Sequence, residues 1–132
     1  MIHEHATAFL ALLAADVELT VFDGAPPDLS EPPYVVVWVS LDSESDVSIS
    51  AEQGFADVRY TTHSVGSSGE AARRVADRVR AAVLGHRLTV ADRRTFKIRH
   101  EYGVPPQWNE STGFQFVDVV DVWTGRSVLA LA

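Results

Sequence analysis

The segment from Ala56 to Val90 constrains the fold most, because it encodes a strand, a capped turn, a helix and a second strand in succession. Residues 56–64 are rich in extended-chain formers. Ser67 fits a helix N-cap, and Glu70 stands where a capping box would close. Gly85 fits a helix end that requires positive φ. The segment therefore predicts a helix, called helix two here, between two strands.

Helix two carries one apolar stripe. The apolar residues that recur at helical spacing are Ala72, Val75, Ala76, Val79, Ala82 and Val83. Such a stripe is typical of a helix that packs on a sheet with its polar side in solvent. We therefore expect this face to be buried.

The composition indicates one globular domain. A chain of 132 residues that is 46% hydrophobic is long enough to bury roughly two-thirds of its unfolded surface. It contains no cysteine, which excludes disulfides, thiolate nucleophiles and Cys-based metal sites. The apolar run 6–15 has no Lys or Arg before it and Asp16 after it, so we expect no signal peptide. No run reaches transmembrane length.

Charge is strongly segregated along the chain, whose net charge is −7. Residues 1–58 contain eleven acids and no Lys or Arg, whereas residues 59–100 contain ten bases and three acids. Residues 101–132 contain one base and four acids. These blocks could form surfaces of opposite sign that join copies head to tail. Alternatively, the fold could bring them together so that they neutralise each other within one subunit.

The first half of the chain predicts a helix and three strands. Helix one is expected over His3–Ala15 and a short strand over Leu19–Phe22, followed by a Pro-rich link over 25–33. The unbroken apolar run 34–41 indicates a central strand, with its return arm over 55–65. The residues expected in the core are Ala6, Phe9, Leu10 and Leu13 of helix one, Val17 just after it, and Trp38 of the central strand.

The acidic, Ser-rich stretch Asp42–Gln53 leaves two interpretations open. It could be a solvated loop, or the far end of a long hairpin, since Val47 and Ile49 alternate with serines.

The last third predicts three strands, over 87–90, 96–102 and 114–123, with a turn at 92–94 and a loop over 103–113. The apolar parity slips within 114–123, so we expect a bulge or a strand covered on both faces. Asp118 lies among apolar neighbours, and we expect an arginine to partner it.

No catalytic or metal site is expected. Gly66-Ser-Ser-Gly69 lacks the Lys-Ser/Thr pair of a P-loop and the spacing of a nucleophile elbow, so a helix cap explains it better. His3 and His5 would diverge on a helix or be solvated on a frayed end. Asp118 and Asp121, three residues apart on a strand, would face opposite sides of the sheet.

The arginines of helix two do not indicate a nucleic-acid site. Glu70–Arg74 and Arg73–Asp77 have the i,i+4 spacing of an ordinary solvated helix face. A sequence pI near 5.1 also opposes tight duplex binding, which requires phosphate neutralisation.

The order of the elements resembles a known family. Helix one is followed by Val21-Phe-Asp-Gly24, Pro32-Pro-Tyr-Val-Val-Val-Trp38, the strand–Gly–helix segment and Asp118-Val-Val-Asp-Val-Trp123. This order resembles the tail terminator proteins, also called tail completion or head-to-tail joining proteins, of long-tailed bacteriophages. The resemblance covers nearly the whole chain, and it depends on order and spacing because no single motif is specific.

The resemblance implies a structural virion protein without catalytic residues or cofactors. It implies one α+β domain over residues 1–132, with two helices packed on an antiparallel or mixed β-sheet. Members form a ring, usually of six subunits, that ends tube polymerisation and joins the tail to the head. The implied partners are other copies of the chain, the tail tube protein and the neck proteins. DNA passes through the channel without sequence-specific binding, no membrane is involved, and assembly takes place in the host cytoplasm.

By the same resemblance, the stretch Asp42–Gln53 corresponds to a hairpin directed at a neighbour. Its candidate contact residues are Asp42, Glu44, Asp46, Val47, Ile49 and Glu52, and the candidate ring-interface residues of helix two are Arg73, Arg74, Arg78 and Arg80. The alternatives are another neck component, such as a stopper or head-completion protein, and a small-molecule-binding α+β protein.

Overall fold

The computed structural model describes residues 2–27, 30–45, 55–109, 112 and 115–130, with the backbone alone for 42–45. Among these residues there are two helices, α1 (Ile2–Ala14) and α2 (Gly69–Val83). The strands are β1 (Val21–Asp23), β2 (Tyr34–Ser45), β3 (Phe55–Gly66), β4 (Arg93–Thr95), β5 (Arg99–Trp108) and β6 (Val117–Leu129). The predicted α+β class is confirmed.

The strands form one mixed sheet in the order β1-β2-β3-β6-β4, and β5 also pairs with β6. Only the β1–β2 pair is parallel among the described strands. The β2 and β3 arms pair as far as Ser45 and Phe55. Residues 42–45 are therefore strand and not loop, while residues 46–54 lie outside the described part of the chain.

The main core lies between the helices and one face of this sheet. Alternate residues of β3, among them Val58 and Tyr60, are fully buried there. The rings of Phe9 in α1 and Tyr60 stack with centroids 4.3 Å apart. Burial raises the pKa of Tyr60 because a phenolate would be poorly solvated there. Trp123 of β6, also fully buried, lies opposite Tyr60 and donates a 3.0 Å hydrogen bond to the Thr62 hydroxyl.

Helix α2 follows the prediction closely. Every residue of its apolar stripe is buried except Ala82, which is partly buried, and Gly85 has φ +76°. The N-cap, however, is Ser68 and not Ser67, since the Ser68 hydroxyl accepts a 3.1 Å hydrogen bond from the Ala71 N–H. A Cβ at Gly66 would lie 2.4 Å from the Ala72 nitrogen, so only glycine permits this close approach of β3 to α2.

Two predicted core residues are exposed. Val17 is 92% exposed because α1 ends at Ala14. Trp38 is 52% exposed because it lies opposite Thr61 on the sheet face away from the helices. In a continuous apolar strand the sequence does not show which face meets the helices, and Trp123 is the tryptophan of the core.

The segment between α2 and β6 differs most from the prediction. Residues 87–90 form no strand, although Leu88 and Val90 are buried. The turn predicted at 92–94 is confined to Asp92, with φ +61°, and β4 begins at the next residue. Strand β5 occupies much of the predicted loop 103–113, and its Pro105 and Pro106 fall in a register shift between Val104 and Gln107. Prolines are tolerated there because a proline has no N–H to donate, and the regular hydrogen bonds between the strands are interrupted at a register shift.

Strand β6 accounts for the parity slip in the sequence. It pairs with β3 along one edge and with β4 and β5 along the other. Side chains are buried on both of its faces, so apolar residues in both phases are compatible with its position. Of the two alternatives, burial of side chains on both faces accounts for the slip, since β6 pairs with β3 without a register shift.

Replacing Val79 by Asp should destabilise the domain. Val79 is fully buried in the core, and a carboxylate there would be placed among the apolar side chains of this cluster. We expect a loss of about 3 kcal/mol or more in unfolding free energy, which lowers the melting temperature on the order of 10 °C. Ala81→Asp puts the same charge on the exposed side of α2 and should cost less than about 1 kcal/mol. Equal melting temperatures for the two variants would contradict this packing of α2.

Candidate assembly surface

The sheet face opposite the helices, called the open face here, exposes large aromatic side chains. No described helix lies on it. Trp38 is 52% exposed and Trp108 is 59% exposed, and Tyr102, opposite Val122 on β6, is 54% exposed. Exposed aromatic side chains of this size are common at sites where proteins bind a partner.

The two tryptophans line a cleft of about 450 Å³ together with His63, Asn109 and Asp118; it is called the aromatic cleft here. In its wall the Asp118 carboxylate is 2.8 Å from Nδ1 of His63. The Asn109 amide donates a longer bond of 3.4 Å to the same oxygen. The partner of Asp118 is thus a histidine, and the prediction of an arginine partner is wrong. His63 reaches Asp118 because β3, which contains His63, pairs with β6.

One end of the open face is closed by a small apolar cluster. It consists of Tyr34, Val36 and Val65, with Phe22 and Phe116 packed against them. The rings of Phe22 and Tyr34 meet edge to face at 5.6 Å. Burial, aided by the nearby Asp118 charge, raises the pKa of Tyr34. This cluster fixes the end of β2 beside the cleft.

The two aspartates of β6 face opposite sides of the sheet, as expected from their spacing. Asp121 lies on the helix side, 2.8 Å from Nε2 of His100 and 3.4 Å from the Arg80 guanidinium. A Cβ at Gly103 would lie 2.7 Å from the Asp121 carboxylate, so the glycine provides the space for this side chain. Each of the two aspartates therefore has its own histidine partner.

His5 is not the solvated residue that the sequence suggested. It is 1% exposed, and its Nε2 lies 2.7 Å from the Ser127 hydroxyl, which also accepts a 2.7 Å bond from Nε of Arg93. This contact ties α1 to β6. Among the residues that the structure describes, no group of three or more His, Asp or Glu side chains is placed to hold a metal ion.

Three of the four candidate interface arginines of α2 have acidic partners in the same chain. Arg74 is 2.7 Å from Glu70, and Arg80 is bonded to Asp121. Arg78 bridges the N-terminal acids, at 2.7 Å from Asp16 and 2.8 Å from Glu18. Arg73 forms no ion pair within the described ranges.

Some of the acidic and basic residues that are separated in the sequence therefore neutralise each other within one subunit. Of the other candidate contact residues, Asp42 and Glu44 belong to β2, with only their backbone described. Asp46, Val47, Ile49 and Glu52 lie outside the described residues.

The aromatic cleft was not predicted from the sequence. Trp108 lies in a Pro-rich stretch that indicates a loop, and Trp38 lies in an apolar run that indicates core. The one sequence feature that could have indicated the cleft was Trp108, which lies in an otherwise polar stretch. An exposed tryptophan is unfavourable unless a partner covers it.

The chain is thus an α+β domain that exposes aromatic side chains on its open sheet face. The profile of the family described as "Tail completion protein gp17" matches residues 7–105, so this chain belongs to the tail completion protein family, and the resemblance seen in the sequence is confirmed. The family is one of structural phage tail proteins.

A solved structure described as "Virion of native gene transfer agent (GTA) particle" contains a chain with the same fold. The TM-score is 0.72 at 17% sequence identity, and the match covers 93% of each chain. No curated protein matches the sequence. In the part of the chain that the structure describes, every helix is too short or too polar to cross a membrane.

The pairing of Arg78 with Asp16 should be visible as a pH dependence of stability. The Arg78 guanidinium holds the pKa of Asp16 below its usual value, so the stabilisation is present at neutral pH and is lost as the pH falls through the lowered pKa. We expect Asp16→Asn to melt below the parent protein at pH 7, and the difference to shrink as the pH falls through the acidic range.

Melting temperatures across this pH range provide the measurement. Asp23→Asn, at an exposed position without an ion pair among the described residues, should show no comparable change. A constant Asp16→Asn difference down to pH 2.5 would mean that the ion pair does not contribute.

Proposed function

We propose that this chain is the tail terminator of a long-tailed phage, which closes the head-proximal end of the tail tube as a ring of identical subunits. The observation that carries the proposal is the open face, with Trp38 and Trp108 exposed beside a paired His63–Asp118. Family membership supports a structural role in the tail. The fold shared with a chain of a virion particle supports a place in the particle.

The open face is suited to contact with a second subunit. Tryptophans supply much of the binding energy at interfaces because they remove a large apolar area from water. The Asp118 carboxylate beside them is already hydrogen-bonded to His63 and Asn109 within the subunit, so covering the cleft does not leave this carboxylate without a hydrogen-bond partner. A ring requires a heterologous contact in which this face meets a different surface of the next copy.

The net charge of −7 is compatible with a conduit for DNA. An acidic channel wall repels phosphates, and DNA then passes without being held. We propose that one rim of the ring meets the tail tube protein and the other meets the neck proteins. The stretch 42–53 is the candidate contact segment, and the subunits assemble in the host cytoplasm before joining the particle.

Removing either cleft tryptophan should weaken self-association without unfolding the subunit. Because Trp38 and Trp108 are more than half exposed, Trp38→Ala and Trp108→Ala should each change the unfolding free energy by less than about 1 kcal/mol. Each should weaken assembly at least about tenfold, as measured by sedimentation velocity and electron microscopy.

The matched control is Val17→Ala, which shortens an apolar side chain that is 92% exposed and far from β2 in sequence. It should assemble like the parent protein. Tryptophan variants that form normal rings would exclude the open face as the subunit interface.

Shortening the acidic stretch separates folding from function. Replacing Asp46–Gln53 by a short Gly-containing turn keeps the described pairs up to Ser45 and Phe55. The subunit should stay folded, since loop length changes stability only slowly. We expect that it fails to complement a phage lacking the gene.

The particles distinguish the candidate roles when scored by microscopy. Overlong tails identify a terminator, whereas tails of normal length that lack heads favour a stopper or head-completion protein. Joined particles at the parent yield would mean that the stretch makes no essential contact.

A further inference from the structure

A second site lies beside the open face, where cationic side chains surround an aromatic ring. A groove of about 720 Å³ is lined by Arg87, Phe96, Lys97, Arg99 and Arg126; it is called the basic groove here. Its lining includes four cations and no acid. The basic groove lies on the segment where the structure differs most from the sequence prediction, and the helix-two arginines take no part in it.

The backbone fixes this arrangement. The Gly85 N–H donates to the Ile98 carbonyl at 3.1 Å, and the Ile98 N–H donates to the His86 carbonyl at 2.8 Å. Ile98 is 1% exposed and anchors the segment in the core. Its neighbours Lys97 and Arg99 are exposed, as alternation along an extended chain requires, and the backbone bonds bring them to Arg87.

Most of the positive charge in the basic groove is uncompensated. Arg126 is satisfied, since it forms two bonds of 2.7 and 2.8 Å with Asp57. By contrast, Arg87, Lys97 and Arg99 form no ion pair within residues 2–27, 30–45, 55–109, 112 and 115–130. Three like charges at one site repel each other, so an anionic partner that covers them would be stabilised both by attraction and by relief of this repulsion.

The chain itself contains a segment of complementary charge. Residues 42–53 contain Asp42, Glu44, Asp46 and Glu52 and no base. The described arms of this stretch end at Ser45 and Phe55, on β2 and β3. The basic groove is on the far side of β6 from these strands, at β5 and its preceding segment. In a ring of identical subunits, every copy presents both the groove and the segment.

We propose that the basic groove binds the acidic segment 42–53 of a second copy of the chain. The proposal rests on the self-assembly proposed above and specifies its charged contact. The carboxylates pair with Arg87, Lys97 and Arg99, beside which Phe96 is 39% exposed. Each subunit then gives its segment to one neighbour and receives the segment of the other, as a heterologous contact demands.

Peptide binding tests the groove without requiring a ring. A labelled synthetic peptide of residues 42–54 is titrated with the full chain and followed by fluorescence anisotropy. Lys97→Glu/Arg99→Glu should weaken peptide binding at least tenfold, and raised salt should weaken binding to the parent protein. The matched control is Arg73→Glu, which reverses another exposed arginine without an ion pair in the described ranges and should leave peptide affinity unchanged.

Mixing charge-reversed copies then tests whether the contact is between subunits. Neither Lys97→Glu/Arg99→Glu nor Asp46→Lys/Glu52→Lys should assemble alone. An equimolar mixture should assemble, because each groove then meets a segment of opposite sign in the alternating partner. Thermal melting of each variant verifies that it is folded.

The outcomes separate this contact from the proposed function. Rings formed by both reversed variants alone would overturn the contact while leaving ring assembly intact. Absence of rings even for the parent chain, with peptide binding retained, would overturn the ring but not the groove. Failure of the mixture with retained peptide binding would mean that the segment binds within its own subunit. A groove that binds a double-stranded oligonucleotide and not the peptide would be a phosphate site, and the proposal would be wrong.

Discussion

The pairing of β3 with β6 is the constraint on which the rest of the structure depends. The two strands pair without a register shift from Phe55 opposite Val128 to Gly66 opposite Val117. A shift by one residue would exchange the two faces of the sheet. The observed register puts Tyr60 beside Trp123 under the helices and Val65 beside Asp118 on the open face. It also places Asp57 opposite Arg126. These two residues form an ion pair next to the basic groove.

The two faces of this sheet have different physical roles. The helix face is filled by the stripe of α2 and by Phe9 and Leu13 of α1, and it supplies the stability of the subunit. On the open face the exposed aromatic residues and the aromatic cleft provide surface that a partner can cover. Core residues and exposed aromatic residues thus alternate along the same strands, so an exposed residue of the open face can be changed with little effect on stability.

Charge follows the same division between internal and external contacts. The sequence separates an acidic N-terminal block from a basic middle block, and the fold brings parts of them together. Arg78 meets Asp16 and Glu18 across 60 residues or more, and Arg126 meets Asp57. The cations without partners in the described ranges include Arg87, Lys97 and Arg99. The ion pairs within the chain therefore leave only some of its charged side chains exposed without a partner in the described ranges.

The sequence by itself determined the local structure and the family. The apolar stripe and Gly85 of α2 lie within one short segment, so periodicity and the terminal glycine suffice to predict that helix. The capping residue was predicted one position early, since the structure has Ser68 and not Ser67 there. The order of the elements sufficed for the tail completion resemblance. The strands from Tyr34 and Phe55 were also predictable, because β-branched and aromatic runs favour extended chain.

Only the tertiary structure decided which tryptophan is buried, which acids are paired and where the free cations lie. Trp38 and Trp123 lie in similar apolar strands, and their different exposure follows from strand register, a long-range property. Strand β5 runs through two prolines because β6 offers it an edge, which no local propensity reveals. The aromatic cleft and the basic groove join residues far apart in the chain, so their existence depends on pairings that the sequence pattern does not encode.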